Sequence, residues 1–241
     1  MVNNWLNSIH FRVLPLDCLY CGGHASGQIA LCPACQQNLQ YNHFACKTCA
    51  EPLPSMAGNH SAQQCGKCLK KRPHFDYVIS PYLYEPPIST LISRFKYHAD
   101  LGAGNILATL LAGYLQKYVV ELPDCIIPVP LHPSRLRQRG FNQSLELSRP
   151  LAKQLSIPLL NDICTRQRKT DSQKGLNEKQ RQKNIRGAFS MGKPLPYQRI
   201  AIVDDVMTTG NTVNELAKTL RLAGAKNIQI WSVCRASNKN V

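Results

Sequence analysis

From residue 77 onward, apolar and polar positions follow two different periods. Short apolar runs typical of strands occur at 77–84, 125–129, 157–163, 187–191, 199–204 and 227–233. Between them, apolar residues recur at helical spacing over Ile88 to Phe95, Gly104 to Tyr118 and Phe141 to Leu155, where Pro150 is expected to kink the helix. Strands that alternate with helices in this way predict an α/β fold with a mostly parallel sheet.

The first third of the chain shows neither period. It ends at Lys70-Lys71-Arg72-Pro73, a linker-like break. We therefore expect two domains, a small cysteine-rich module at 1–72 and the α/β domain at 73–241.

Eight of the 11 cysteines lie in the small module as four CxxC pairs, separated by ten, ten and fifteen residues. A CxxC knuckle points two sulfurs at one ion, and two knuckles complete a tetrahedral four-thiolate zinc site. A disulfide framework would suit a secreted chain, and no secretory signal is seen near the amino terminus. The predicted zinc ligands are Cys18, Cys21, Cys32, Cys35, Cys46, Cys49, Cys65 and Cys68.

Sequential pairing of the knuckles would give two zinc ribbons, and a crossed pairing is also compatible with the spacing. Sites closed by four thiolates leave no position for a substrate, so both metal ions are expected to be structural. The histidines among the knuckles, His24, His43 and His60, are interpreted as exposed polar residues.

Charge and composition narrow the class of protein. An apolar fraction of 44% is ordinary for a globular protein, and no run of about 18 apolar residues predicts a membrane span, so we expect a cytoplasmic protein. The formal charge is +15, and residues 131–190 alone hold 13 basic and 4 acidic residues. Such a segment is either a solvated basic surface or a contact for a phosphate-rich partner.

The stretch IAIVDDVMTTGNTV, residues 200–213, carries the candidate chemistry. A buried strand is predicted to end in Asp204 and Asp205, at the edge where open α/β sheets bind ligands. Thr212 and Glu215 fit a capping box that starts the next helix, whose amino terminus favours a phosphate. Two carboxylates beside a phosphate suit ribose hydroxyls or an accompanying magnesium ion, so the pattern indicates a sugar phosphate with a metal.

Two other interpretations of this stretch were weighed. An apolar strand ending in Asp-Asp also fits a Walker B motif, but no P-loop sequence precedes it. Helix capping alone explains Thr212 and Glu215 but leaves the paired acids, Thr208, Thr209 and Gly210 without a role.

The stretch resembles the signature loop of type I phosphoribosyltransferases, which bind phosphoribosyl pyrophosphate (PRPP). With the CxxC pairs, Phe95-Lys96-Tyr97, VPLHPSRLRQRGFNQS (129–144) and TRQRKTDSQKGLNEKQRQKNIRGAF (165–189), the chain resembles the ComF/GntX family of competence-related proteins. In the last run the resembling positions are Arg166, Thr170, Gln173, Leu176, Arg181, Asn184 and Phe189. Ala99 departs from the family pattern, which has glycine there.

The resemblance implies roles for individual residues. Asp204 and Asp205 would bind the ribose hydroxyls, and the 5′-phosphate would lie against Thr208, Thr209, Gly210, Asn211 and Thr212. Pyrophosphate would bind near Pro130 and Leu131, with Arg135 and Arg139 as candidates for its charge; a solvated basic helix face is the alternative for either arginine. Residues 166–186 match the flexible loop that closes over PRPP in the enzymes, with magnesium accompanying the ligand.

Two classes of function are consistent with this resemblance. ComF relatives act in natural transformation, which implies a protein that handles or imports single-stranded DNA, with other competence proteins as candidate partners. The alternative is an active phosphoribosyltransferase, although no hood segment that would read an acceptor base is identifiable. A PRPP sensor without turnover is a third hypothesis.

Overall fold

The computed structural model describes residues 16–25, 29–54, 64–168 and 184–236. Within the amino-terminal part, the elements in chain order are β1 (Leu16–Asp17), β2 (His24–Ala25), α1 (Pro33–Gln37) and α2 (Gly66–Lys70). The elements that follow are β3 (Tyr77–Ile79), β4 (Tyr82–Leu83), α3 (Ile88–Tyr97), α4 (Leu101–Tyr118), β5 (Cys125–Pro128), α5 (Pro133–Arg139), α6 (Gln143–Leu155), β6 (Cys164–Arg166), β7 (Phe189–Met191), β8 (Arg199–Met207), α7 (Asn211–Leu222) and β9 (Asn227–Arg235).

Five strands form one sheet in which every pair is parallel. The order is β3, β9, β8, β5, and β4 also pairs with β9. The pairs β1–β2 and β6–β7 are antiparallel and separate from this sheet. The predicted α/β fold with a mostly parallel sheet is confirmed, and β8 lies between two other strands.

Both faces of the sheet are covered because side chains on β8 alternate between two cores. Ala201 and Val203 pack with α4 and α6 in one core, whereas Ile200 and Ile202 pack with α7 in the other. The first core also includes Leu31, Cys32 and other residues of the first cysteine cluster. The amino-terminal module is thus packed directly onto the α/β domain.

Strand bounds differ from prediction at three places. The run 77–84 is divided into β3 and β4, and β8 continues past Asp205 to Met207. The strand predicted at 157–163 is wrong. Pro158 has no N–H to donate, and only its carbonyl and the N–H of Leu160 bond to Ile126. The chain then turns away and forms β6 instead.

Helix ends show where local signals were misleading. The capping box predicted from Thr212 and Glu215 is wrong, because α7 begins at Asn211 after Gly210 and no side chain caps it. The Glu215 carboxylate instead accepts a hydrogen bond from the backbone N–H of Gly187 at 2.8 Å. Glu215 therefore bonds to a residue that is distant in the sequence and does not cap α7.

Three other helices also depart from the prediction. Helix α4 begins earlier than predicted, with Asp100 accepting from the N–H of Ala103 at 3.0 Å. The short helix α5 was not predicted. Helix α6 continues across Pro150 to Leu155.

Candidate functional site

The eight predicted zinc ligands form two clusters of four sulfurs. Cys18, Cys21, Cys32 and Cys35 make up the first, and Cys46, Cys49, Cys65 and Cys68 make up the second, each with all Sγ atoms within 4.8 Å of one another. This confirms the sequential pairing and rules out the crossed one.

The spacing of the sulfurs fits zinc. A tetrahedron with Zn–S bonds of about 2.3 Å has S···S edges of about 3.8 Å. The Sγ atoms of Cys21 and Cys32 are 3.7 Å apart, and those of Cys49 and Cys65 are 3.5 Å apart. The residues present therefore fit two structural zinc ions of the four-thiolate type.

Backbone N–H groups in each cluster lie where they stabilise negative charge on the sulfurs. The N–H of Gly23 donates to Cys21 Sγ at 3.4 Å, and the N–H of Cys65 donates to Cys46 Sγ at 3.3 Å. Cys32 and Cys65 are the amino-terminal caps of α1 and α2, where the helix end favours negative charge. Both features stabilise thiolates, the form that binds metal.

Each cluster is tied to the α/β domain by one arginine. Arg94 on α3 donates to the carbonyl of Leu19 in the first knuckle and pairs with Asp100 at 2.8 Å. Arg235, 3% exposed at the end of β9, donates to the carbonyl of Cys49 at 3.2 Å and pairs with Glu51. Arg235 also donates to the carbonyl of Met207 at 2.9 Å, immediately before the loop 208–212.

A cleft of about 480 Å³ opens at the carboxyl end of β8. It brings together residues from β5, α3, α5, α6, β6 and β8 with the start of α7. Lining it are all nine predicted ligand-site residues: Arg135, Arg139, Asp204, Asp205, Thr208, Thr209, Gly210, Asn211 and Thr212. The sheet edge where the sequence predicted a ligand site therefore has a cleft.

The two acids have different surroundings because adjacent residues on a strand face opposite ways. Asp205 is 6% exposed, and its Oδ2 lies 2.9 Å from Lys96 Nζ. Asp204 is less buried, and its Oδ1 accepts from Ser144 Oγ at 3.0 Å and from the N–H of Asp205 at 3.0 Å. Asp205 is thus held in an ion pair within the protein.

These surroundings shift the pKa values of Asp204 and of Lys96. Burial, and next the neighbouring Asp205 carboxylate, raise the pKa of Asp204 to about 7. Burial opposes the charge on Lys96, but the carboxylates of Asp205 and Asp204 outweigh it and raise the pKa of that lysine. Near neutral pH, Asp204 can therefore exchange a proton, whereas Lys96 remains charged.

The loop 208–212 is shaped by Gly210. Its φ of 76° lies in the left-handed region, and a Cβ there would come within 2.7 Å of the Met207 side chain. Only glycine meets both conditions without strain. The loop leads into α7, so the first N–H groups of that helix lie beside it. This is a backbone arrangement suited to an anion.

Two cations of the cleft were not among the predicted ligand-site residues. Lys96 was noted only as part of Phe95-Lys96-Tyr97. Arg166 was assigned to the flexible loop, yet it ends β6, is 6% exposed and lies 5.7 Å from the Phe189 ring. Burial, and next the charge of Arg135, lower the pKa of Arg166 to about 10. A desolvated guanidinium of this kind favours an anionic ligand.

The predicted pyrophosphate turn also borders the cleft. Leu131 lines it, and Asn142 Nδ2 donates to the carbonyl of Val129 at 3.1 Å, which ties the turn to α6. Arg139 Nη1 donates to Gln143 Oε1 at 2.7 Å. Residues 169–183, most of the predicted flexible loop, lie outside the described residues.

Comparison with known proteins identifies the family. A double zinc ribbon domain matches residues 10–69, and a phosphoribosyl transferase domain matches residues 142–240. Competence protein F of Haemophilus influenzae is 38% identical, over 96% of this chain and 100% of the relative. The chain belongs to the ComF family of competence proteins.

A second relative of this ComF-family protein agrees with that assignment. DNA utilization protein YhgH of Escherichia coli K12 is 34% identical, over 88% of this chain and 92% of the relative. Among solved structures, a glutamine PRPP amidotransferase from B. subtilis, complexed with ADP and GMP, matches with 17% identity and a TM-score of 0.40 over 58% of this chain and 30% of that one. A likeness so distant carries no argument about the cleft.

The family assignment gives this ComF-family protein a competence-related function, with structural zinc in its amino-terminal module. Among the described residues, none of the helices combines the length and apolar character needed to cross a bilayer.

Proposed function

We propose that this ComF-family protein handles single-stranded DNA during natural transformation and binds a PRPP-type phosphorylated ligand in the cleft of β8. The observation that carries the ligand proposal is the meeting of two acids, an anion-binding loop and four cations in one cleft. The cations are Lys96, Arg135, Arg139 and Arg166.

PRPP suits this arrangement because it combines vicinal hydroxyls with phosphates at two positions. The carboxylate of Asp204 accepts from ribose hydroxyls, and the loop 208–212 binds the 5′-phosphate through backbone N–H groups and threonine hydroxyls. Arg135 and Arg139 compensate the charge of pyrophosphate. Magnesium arrives with the ligand, bound mainly to its phosphates and water as is usual for that ion.

The DNA part of the proposal is supported by family and by charge. The names of the relatives refer to competence and to DNA utilization. In this chain, the residues 168–186, here called the basic segment, begin and end with the exposed residues Arg168 and Arg186. A 2.7 Å hydrogen bond from Arg168 Nη1 to the carbonyl of Arg186 joins the two ends. Exposed cations of this kind bind a phosphate backbone without regard to sequence.

One zinc-loaded sample titrated with both ligands tests the proposal. Calorimetry with Mg²⁺ and PRPP should show binding that Asp204→Asn weakens by about 10- to 150-fold, because a charge-assisted hydrogen bond contributes about 1.5–3 kcal/mol. Asp162→Asn, on an exposed acid paired with Lys193, is the matched control and should bind normally. If the native chain binds no PRPP, the cleft is not a PRPP site.

Asp205 is a poor choice for the same experiment. Its neutralisation would leave the ammonium of Lys96 without its partner at 2.9 Å, so loss of affinity and loss of structure would be confounded.

The DNA part of the proposal is tested by measuring how the affinity for single-stranded DNA depends on salt concentration. Replacing Arg168, Lys169 and Lys174 by Ala should flatten the slope of log affinity against log salt by about two units, at roughly 0.7 per phosphate contact. Arg166 is left in place because it is buried in the cleft. The control Lys117→Ala with Lys226→Ala removes two exposed cations that do not line the cleft, and it should leave the slope unchanged.

The same variants distinguish the alternative, an active phosphoribosyltransferase. If the basic segment closes over PRPP, the triple variant should weaken PRPP binding and leave the DNA slope unaltered. Release of pyrophosphate from PRPP with a candidate acceptor would then establish turnover.

A further inference from the structure

The cleft continues into a second cavity of about 440 Å³, here called the annex. Lys96, Tyr97, Arg135 and Arg139 line both, so the two spaces share one wall. Its lining residues are Lys96, Tyr97, Ala99, Arg135, Gln138, Arg139 and Phe141. The roles proposed above assign Arg135 and Arg139 to pyrophosphate and give no role to the rest of this space, so a ligand here would share the two arginines with PRPP.

The annex is cationic. Its lining contains three basic side chains and no acidic one. The charge of Lys96 is directed to Asp205, so Arg135 and Arg139 dominate the field inside. They are four residues apart on α5 and therefore lie on the same side of the helix. A guanidinium offers five donors, so the bond from Arg139 to Gln143 leaves most of its capacity for a ligand.

The annex is also aromatic. Tyr97 is the last residue of α3 and is 62% exposed, so its ring is accessible to a ligand. Behind it, Phe141 packs on the buried Phe95 with ring centroids 5.4 Å apart, which gives the cavity a fixed apolar floor. Ala99, with φ of 51°, turns the chain in the left-handed conformation directly after the helix end.

An exposed ring beside two arginines is an arrangement that binds a nucleotide. The ring stacks on a base, and the guanidinium groups hold the phosphate. We propose that the annex binds one nucleotide unit of single-stranded DNA, with its base on Tyr97 and its phosphate on Arg135 and Arg139. This inference rests on the proposed function, and it supplies the contact with a base that the sequence interpretation lacked.

The experiment compares base-bearing and abasic DNA of equal length and charge. Fluorescence anisotropy with oligo(dT) should show Tyr97→Ala weakened about 5- to 150-fold, the range for one lost base stack. Tyr97→Phe keeps the ring and should bind like the native chain. With the abasic strand, all three proteins should bind equally. Tyr118→Ala is the control, because it removes an exposed ring at the end of α4 that lines neither the cleft nor the annex. It should bind oligo(dT) normally.

Each remaining outcome has one meaning. Equal binding of oligo(dT) by the native chain and Tyr97→Ala would overturn the annex proposal, while DNA handling would stand. If the native chain binds PRPP but no DNA, a titration with thymidine monophosphate decides: binding that Tyr97→Ala removes supports the annex with a free nucleotide as its ligand, and no binding overturns it. Absence of both PRPP and DNA binding would refute the proposed function itself.

Discussion

Asp204 and Asp205 are neighbours on one strand, yet only one of them is neutralised within the protein. Asp205 is buried against Lys96, whereas Asp204 borders the cleft and bonds to a serine hydroxyl. The charge of Asp204 costs stability, because burial and the adjacent Asp205 carboxylate outweigh the attraction of Lys96. A ligand hydroxyl or metal ion would recover that cost, which is why Asp204 is the better candidate for binding.

The raised pKa of Asp204 makes this cost measurable. A carboxyl whose folded pKa is about 7 rather than about 4 favours the protonated form in the native state. Its penalty therefore builds as pH rises from about 4 to about 7 and is complete above 7. Asp204→Asn removes the penalty, so it should be more stable than the native chain at pH 8, by on the order of 2–4 kcal/mol, and the gain should fall to about a third of that at pH 5.

Urea unfolding of both proteins at several pH values checks this prediction. Ser144→Ala is a second variant for this test, because it removes a hydrogen bond that partly stabilises the Asp204 carboxylate. In that background, the stability gained from Asp204→Asn at pH 8 should be larger. A stability difference that does not change between pH 5 and pH 8 would mean that Asp204 is not the titrating group.

The site residues that could be predicted are those that lie next to one another in the sequence. Asp204, Asp205 and the Thr/Gly loop follow one another, so the pattern placed them together. Lys96 and Arg166 approach from α3 and β6, and nothing in their own neighbourhoods indicates that they meet Asp205 and Arg135. Their positions depend on tertiary packing, for which a single sequence has no signal.

At the level of elements, the position of α3 depends on a close approach to α4. A Cβ at Gly104 would lie 2.6 Å from the ring of Phe95, which is fully buried and cannot move aside. Lys96 follows Phe95 directly, so this contact also fixes the lysine that holds Asp205.

Two glycines of α4 make a matched test. Gly104→Ala should destabilise the protein by about 1–3 kcal/mol, because overpacking outweighs the gain in helix propensity. Gly113→Ala, on the exposed side of the same helix with no atom within 4 Å of the new Cβ, should stabilise it by up to about 1 kcal/mol. Thermal unfolding of both variants measures the two changes in stability. Equal effects would contradict the close packing of α3 on α4.

The elements themselves were predicted best where the apolar pattern is long. The helices α3, α4 and α6 and the strands β5, β8 and β9 were found, because each buries a continuous face. The pattern misled at 157–163, where apolar residues pack without forming a strand, and at Glu215, whose partner Gly187 lies on another element. Short α5 buries no residue, so it had no apolar pattern to show.

At the scale of the whole molecule, the second zinc cluster and the ligand loop are connected through one buried arginine. Arg235 binds the knuckle carbonyl of Cys49 on one side and the carbonyl of Met207, next to the loop, on the other. The zinc sites are structural, and because of this link we expect the shape of the cleft to depend on the metal. The CxxC spacing predicts the ribbons and gives no indication of the link.

Metal removal tests this dependence. The native chain should hold about two zinc ions, and elemental analysis that finds none would contradict the clusters. After chelation, hydrogen exchange should rise first in the described part of the zinc module, residues 18–25, 29–54 and 64–68. It should rise next at 207–212, while β5 and the centre of β8 remain protected. Re-addition of zinc should restore protection in both regions, which is the control for irreversible damage. If 207–212 keeps its protection without zinc, the arginine link does not couple the ribbon to the cleft, and the two parts are independent.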